Sequence, residues 1–172
     1  MTSVHPVFDT RIFHKECKSL SKKYDVSLIA PNVEDQTVDG IHIYGVCLPK
    51  NRSKRIKNLS SVYNRMLEID ADIYHFHDPE LMKLGKKIKK EKRKKIIFDS
   101  HEDVPQQILC KVWIPKLLRK PLSYCYSIYE KQLLKKYDAI VSVTPSIVER
   151  LQEINSRVYQ ITNYPVISDI DD

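Results

Sequence analysis

Glycine is scarce in this chain: three in 172 residues, at Gly40, Gly45 and Gly85. So few leave no GxGxxG dinucleotide fingerprint and no Walker loop, which excludes phosphate binding by a glycine-rich turn. The four cysteines, Cys17, Cys47, Cys110 and Cys125, form no CxxC pair, which excludes a zinc knuckle or a dithiol redox centre. No apolar run approaches the roughly 20 residues that cross a bilayer. The opening "MTSVHPVFDTR" lacks the charged, apolar and small-residue sections of an export signal. Scattered cysteines without such a signal predict reduced thiols and a cytoplasmic location. There is no internal repeat and no low-complexity linker.

What is present is the composition of an ordinary globular protein, 42% apolar and 30% charged, at a length that suits one domain over 1–172. The net charge of +7 is concentrated: "KLGKKIKKEKRKK" at 83–95 holds nine Lys/Arg and one Glu, a local +8, so the remainder sums to about −1. Such a segment suits a solvated helix face or an anionic membrane surface. Nucleic acid is not expected, because no aromatic residues interleave with the lysines to stack bases.

Short β-rich runs alternate with helical periodicity, the pattern of an α/β fold with a mostly parallel sheet and helices on both faces. Strands are expected at "DVSLIA" (25–30), "GIHIY" (40–44), "DIYHF" (72–76), "KIIFD" (95–99), "AIVSV" (139–143) and "RVYQI" (157–161). Helices are expected over 10–24, 79–92 and 144–154, and over about 115–137 with a break near Pro121. The first strand has only "TSVH" available, and "VISDIDD" reads as an exit from the fold.

In a doubly wound sheet, ligands bind beyond the carboxyl ends of the strands. Three polar clusters fall there: His5, Asp9 and Arg11; His77, Asp78 and Glu80; and Asp99, His101, Glu102 and Asp103. A metal site built on His75, His77 and His101 is conceivable from strand alternation, but no HExxH pair is present and no metal is expected. His75 reads as a packed strand histidine and Asp78 as the cap of the helix starting at Pro79. His77 suits either a surface turn or a binding cleft. His101 is the strongest functional candidate, since it follows a buried strand, lies among acids and is of the residue type most suited to proton or phosphate chemistry.

Taken together, "TSVHPVFDTRIFHKECKSLSKKYDVSLIA", "DIYHFHDPELMKLGKKIKK" and "IIFDSHEDVPQQIL" followed by "WIP" resemble the N-terminal half of bacterial family-four glycosyltransferases. The order DxRIFHKE, HxHDPEL, DxHEDxP carries the resemblance, which runs from about residue 2 to "TNYP" at 162–165. It implies a Rossmann-like domain forming one half of a GT-B fold. It further implies sugar transfer with retention, from a nucleotide-sugar to a polysaccharide or lipid-linked acceptor, in surface-polysaccharide (capsule) synthesis, without a metal ion or resident cofactor. By the same resemblance, His101 is the catalytic residue beside donor sugar and phosphate. Asp9, Arg11, His77, Glu80 and Glu102 line the substrate site from the acceptor side. The basic segment Lys83 to Lys95 then suits peripheral contact with the inner face of the cell membrane. No second Rossmann unit lies within these residues, and no Glu is followed by another Glu eight positions on, the donor-side spacing of such enzymes. The chain is therefore expected to be inactive alone, needing a C-terminal nucleotide-sugar domain that it lacks. The rival readings are a non-catalytic module that binds an anionic partner, and a metal-dependent hydrolase.

Overall fold

The computed structural model describes residues 1–164, so the expected exit "VISDIDD" lies outside the described residues. The chain divides into two compact units, Met1–Ile96 and a second that begins at Ile97.

The first unit is built on a three-stranded sheet with the order β1-β3-β2. Strand β1 spans Ser27–Pro31, β2 Gln36–Val38 and β3 Ile41–Val46. β1 pairs with β3 in parallel, Leu28 opposite Ile43, while β2 joins β3 as an antiparallel edge. The β2–β3 turn is Asp39-Gly40, both at positive φ (53° and 75°), the conformation that a two-residue hairpin with the sheet's twist demands. At Gly45 the sheet approaches other backbone so closely that an added Cβ would lie 1.7 Å from the Val33 carbonyl oxygen.

Alternation sends Leu28, Ala30, Ile41 and Ile43 to one face, where they pack against Ile12, Phe13 and Cys17. Those three belong to α1, which is π-wound over Thr10–Cys17 and closes with an α turn at Lys18–Leu20. The opposite face is covered by α3 (Leu59–Ile69), which packs on β1 and β3 through buried Val62 and Met66. A short polar helix, α2 (Arg52–Lys57), precedes it. Strand β4 (Ile73–Phe76) leads through a 3₁₀ turn at Pro79–Leu81 into α4 (Met82–Lys92).

The short first strand is accounted for by residues 1–3. The Thr2 N–H donates to Ile29 O of β1 at 3.0 Å, while the Met1 amino group donates to His75 O at 2.7 Å. The His77 N–H returns a bond to Met1 O at 3.2 Å. Three residues thus stand between β1 and β4 and join them, too few to register as a strand of their own.

The second unit contains the parallel strands β5 (Lys95–Ser100, from Ile97 onward), β6 (Ala139–Ser142) and β7 (Val158–Gln160). Helices α5 (Val104–Cys110), α6 (Lys116–Leu134) and α7 (Pro145–Gln152) connect them. Its core includes Phe98, Leu134, Tyr137, Ile140 and Leu151, with Tyr137 meeting Phe98 edge to face at 6.0 Å. α6 runs unbroken through Pro121, against the expected break there. That proline leaves the Leu117 carbonyl without its helical donor, and the helix tolerates this where Leu117 is open to water.

Candidate functional site

In the first unit, the first two strand-end clusters meet. Asp9 accepts from the Arg11 and Ile12 N–H groups, both at 2.9 Å, and so caps α1. His5 reaches both clusters: its Nδ1 lies 3.6 Å from Asp9 Oδ2 and its Nε2 lies 3.4 Å from Asp78 Oδ1. Arg11 is buried, with its Nε 3.0 Å from Glu16 Oε1. The other Glu16 oxygen lies 3.5 Å from Nε2 of His77, and His77 stacks on His75 with ring centroids 4.7 Å apart.

Glu16 is the residue that sequence reasoning passed over. Five positions after Arg11, it would stand about 140° away around an α-helix. The wider π turn brings the two side chains onto one face. The sequence signal, an acid i+5 from a base, has meaning only once that winding is known.

The β4 end differs from expectation in two ways. Asp78 occupies the cap position before Pro79, but its side chain makes no cap bond. It turns instead to the N-terminal residues, accepting from Thr2 Oγ1 at 2.8 Å, Ser3 N at 2.6 Å and Ser3 Oγ at 3.2 Å. A cap bond would satisfy one N–H of the turn, whereas these three bonds satisfy three groups of buried Thr2 and Ser3. The two histidines also exchange environments: His77 is buried at 3% exposure, while His75 is only half-buried. Glu80 is held by Arg55 through Nε at 2.5 Å and Nη2 at 3.1 Å, and it accepts from Ser3 Oγ at 2.7 Å. The shared carboxylate raises the Arg55 pKa, chiefly through that hydrogen bond.

In the second unit, the loop after β5 carries a half-buried His101 and an exposed Glu102. Asp99 is fully buried within the strand. Asp103 caps α5 by accepting from Gln106 N at 3.2 Å. Arg150 of α7 lies 3.4 Å from Asp103 and 2.5 Å from Glu130 of α6. Burial pushes the Glu130 carboxyl upward, partly offset by the Arg150 hydrogen bond. Arg150 thus links Asp103, at the root of the loop that carries His101 and Glu102, to Glu130 of α6.

A Rossmann-like α/β chain with histidines and acids gathered at strand ends suits an enzyme or a binding module. Residues 10–163 match the pattern of Glycosyltransferase Family 4, and the chain belongs to that family. It is a glycosyltransferase domain of GT-B type. No curated protein matches it. Among solved structures it is similar to sucrose-phosphate synthase from Thermosynechococcus elongatus, with a TM-score of 0.64 and 12% identity over 87% of this chain. A second structure of sucrose-phosphate synthase from the same organism has a TM-score of 0.58 and 9% identity over 97% of this chain. At such identity the likeness is one of fold. The chain spans 42% of the first of these structures.

Proposed function

We propose that this chain is the acceptor-side domain of a retaining glycosyltransferase that moves a sugar from a nucleotide-sugar to a polysaccharide or lipid-linked acceptor. The observation that carries the reading is the family match over 10–163, supported by a likeness that takes in less than half of a GT-B structure. In this reading the nucleotide-sugar is a co-substrate, and turnover needs a donor-binding domain that these residues do not include. Departure of the leaving group builds negative charge on the diphosphate while the sugar becomes cation-like. A fixed donor beside that phosphate stabilises the charge most when water is excluded. His101 is the side chain for this role. It stands on a loop whose root is held by the Asp103 cap of α5 and the Asp103–Arg150 ion pair, and the residue itself is half-buried. Glu102, exposed beside it, is suited to hold an acceptor hydroxyl.

Asp9, Arg11, His77 and Glu80 act, in this reading, as the wall of the acceptor site. Asp9 caps α1, Arg11 and His77 meet Glu16, and Glu80 is held by Arg55 and Ser3, so their contribution is chiefly to shape and to charge placement. The test is His101→Ala in the complete enzyme. Turnover is expected to fall about a hundredfold, within the range for loss of one charge-stabilising donor, with an unchanged circular dichroism spectrum. Activity near that of the parent removes His101 from the mechanism.

A second reading, a divalent-cation site, draws on Glu16, His75 and His77, whose ligand atoms lie within 4.8 Å of one another. The metal-free reading is favoured because the Arg11 guanidinium already serves Glu16 as its cation, 3.0 Å away. Elemental analysis of the purified protein is expected to find no stoichiometric zinc or manganese. Finding either would reverse this choice.

A further inference from the structure

We propose that the second unit docks on an anionic lipid surface through the loop after α5 and the outer face of α6. The starting observation is an inversion of the usual helix pattern. A surface helix turns its apolar stripe to the core and its polar side to water. Over its first four turns, α6 does the opposite. Leu117, Pro121, Tyr124 and Ile128, spaced i, i+4, i+7 and i+11, share one face and are all exposed, Leu117 at 91%. The buried positions of the same helix include Ser123 and Glu130. These are satisfied from within: Ser123 Oγ donates to Pro105 O at 2.8 Å, and Glu130 accepts from Arg150. The loop before α6 adds Val112 at 87% and Trp113 at 73% exposure. Adjacent large apolar side chains left in water on this scale mark an interaction surface.

The charge around this patch says what covers it. Residues 104–129 contain Lys111, Lys116, Arg119 and Lys120 and no aspartate or glutamate. Lys111 Nζ lies 5.6 Å from the centre of the Trp113 ring, so the cation and the aromatic ring are presented together. Leucine, tryptophan and tyrosine beside lysine and arginine form the composition that lies in a membrane interface, rings at headgroup level and cations toward anionic headgroups. A second copy of this chain is a poor occupant. In a two-fold interface the patch meets itself, and here four cations would face four cations with no acid to offset them.

The basic helix α4 lacks this combination. Its apolar Met82 and Ile88 are buried, and the basic side chains of its outer face have no exposed apolar neighbours in the helix apart from partly covered Leu84. It offers attraction without insertion. The lysines at 83–95 can therefore raise the encounter rate, while lipid contact itself is assigned to residues 112–128.

This inference stands apart from the transferase reading, and its test does not use catalysis. Trp113 is the only tryptophan, so its emission reports directly on the patch. The intact 172-residue chain is titrated with phosphatidylcholine vesicles, with and without phosphatidylglycerol. Binding to the anionic vesicles should shift the emission to the blue, shield Trp113 from acrylamide and weaken as salt rises. Partitioning should fall about tenfold in K116Q/K120Q and several-fold in Leu117→Ser. Both sets of positions are exposed, and circular dichroism checks that the fold is kept. No shift with anionic vesicles overturns the proposal. So does an equal shift with phosphatidylcholine alone, which removes the charge argument. A blue shift that follows protein concentration without vesicles assigns the face to self-association and overturns it as well.

Discussion

The ends of β4 and β5 carry similar-looking motifs, "HFHDPE" and "FDSHED", yet the fold treats them differently. After β4, Asp78 and Glu80 are drawn inward and joined to Thr2, Ser3 and Arg55, while His77 faces Glu16. After β5, Asp99 is buried within the strand and Asp103 caps α5, while His101 is half-buried and Glu102 stands in water. The first motif is a knot that ties three short N-terminal residues into the sheet. The second is a loop rooted at the Asp103 cap, with His101 half-buried and Glu102 exposed. A cluster of titratable residues at a strand end is therefore not evidence of a site until its partners are known.

If this contrast is right, substitutions at the first motif should act on stability and those at the second more weakly. The largest effect is expected for Asp78→Ala, which orphans the buried Ser3 N–H and the Thr2 hydroxyl and should cost about 3 kcal/mol in chemical denaturation. The matching change after β5, Asp103→Ala, removes a helix cap and should cost about 1 kcal/mol. Equal costs would erase the distinction. Arg55→Ala falls between them at about 2 kcal/mol, because Glu80 keeps its bond from Ser3 but loses its cation.

The smallest effect is a pH dependence. Burial holds the Glu130 carboxyl above its usual value of 4.5. In the window from there up to its raised value, the native state binds more protons than the unfolded chain, so this group lowers stability as pH rises. A Glu130→Gln variant should lose that component. Its stability relative to the parent should then improve from pH 4.5 upward, measured by urea denaturation at successive pH values. A pH-independent difference would mean that Arg150 fully offsets burial.

The β-strands were legible because fully covered strands read as short apolar runs. The expected "KIIFD" and "AIVSV" differ from β5 and β6 by one residue each. β2 was missed because Gln36–Val38 is a three-residue edge with no apolar alternation to detect. α3 does carry a helical stripe, Leu59, Val62, Tyr63 and Met66, which went unread beside the polar run of α2. The exposed face of α6 was hidden for the opposite reason. Its apolar spacing reads as an ordinary core stripe, and periodicity cannot say which side of a helix faces water.

The sequence by itself determined the alternation of strands and helices, the placing of polar clusters at strand ends and the family pattern, because these rest on local spacing. Only the tertiary structure decided which partners those residues take. Asp78 bonds to residues 75 and 76 positions away, and Glu80 to Arg55, 25 positions away. Arg11 meets Glu16 only through a π-wound turn. Each of these depends on which distant donor reaches a carboxylate first, and spacing along the chain carries no record of that.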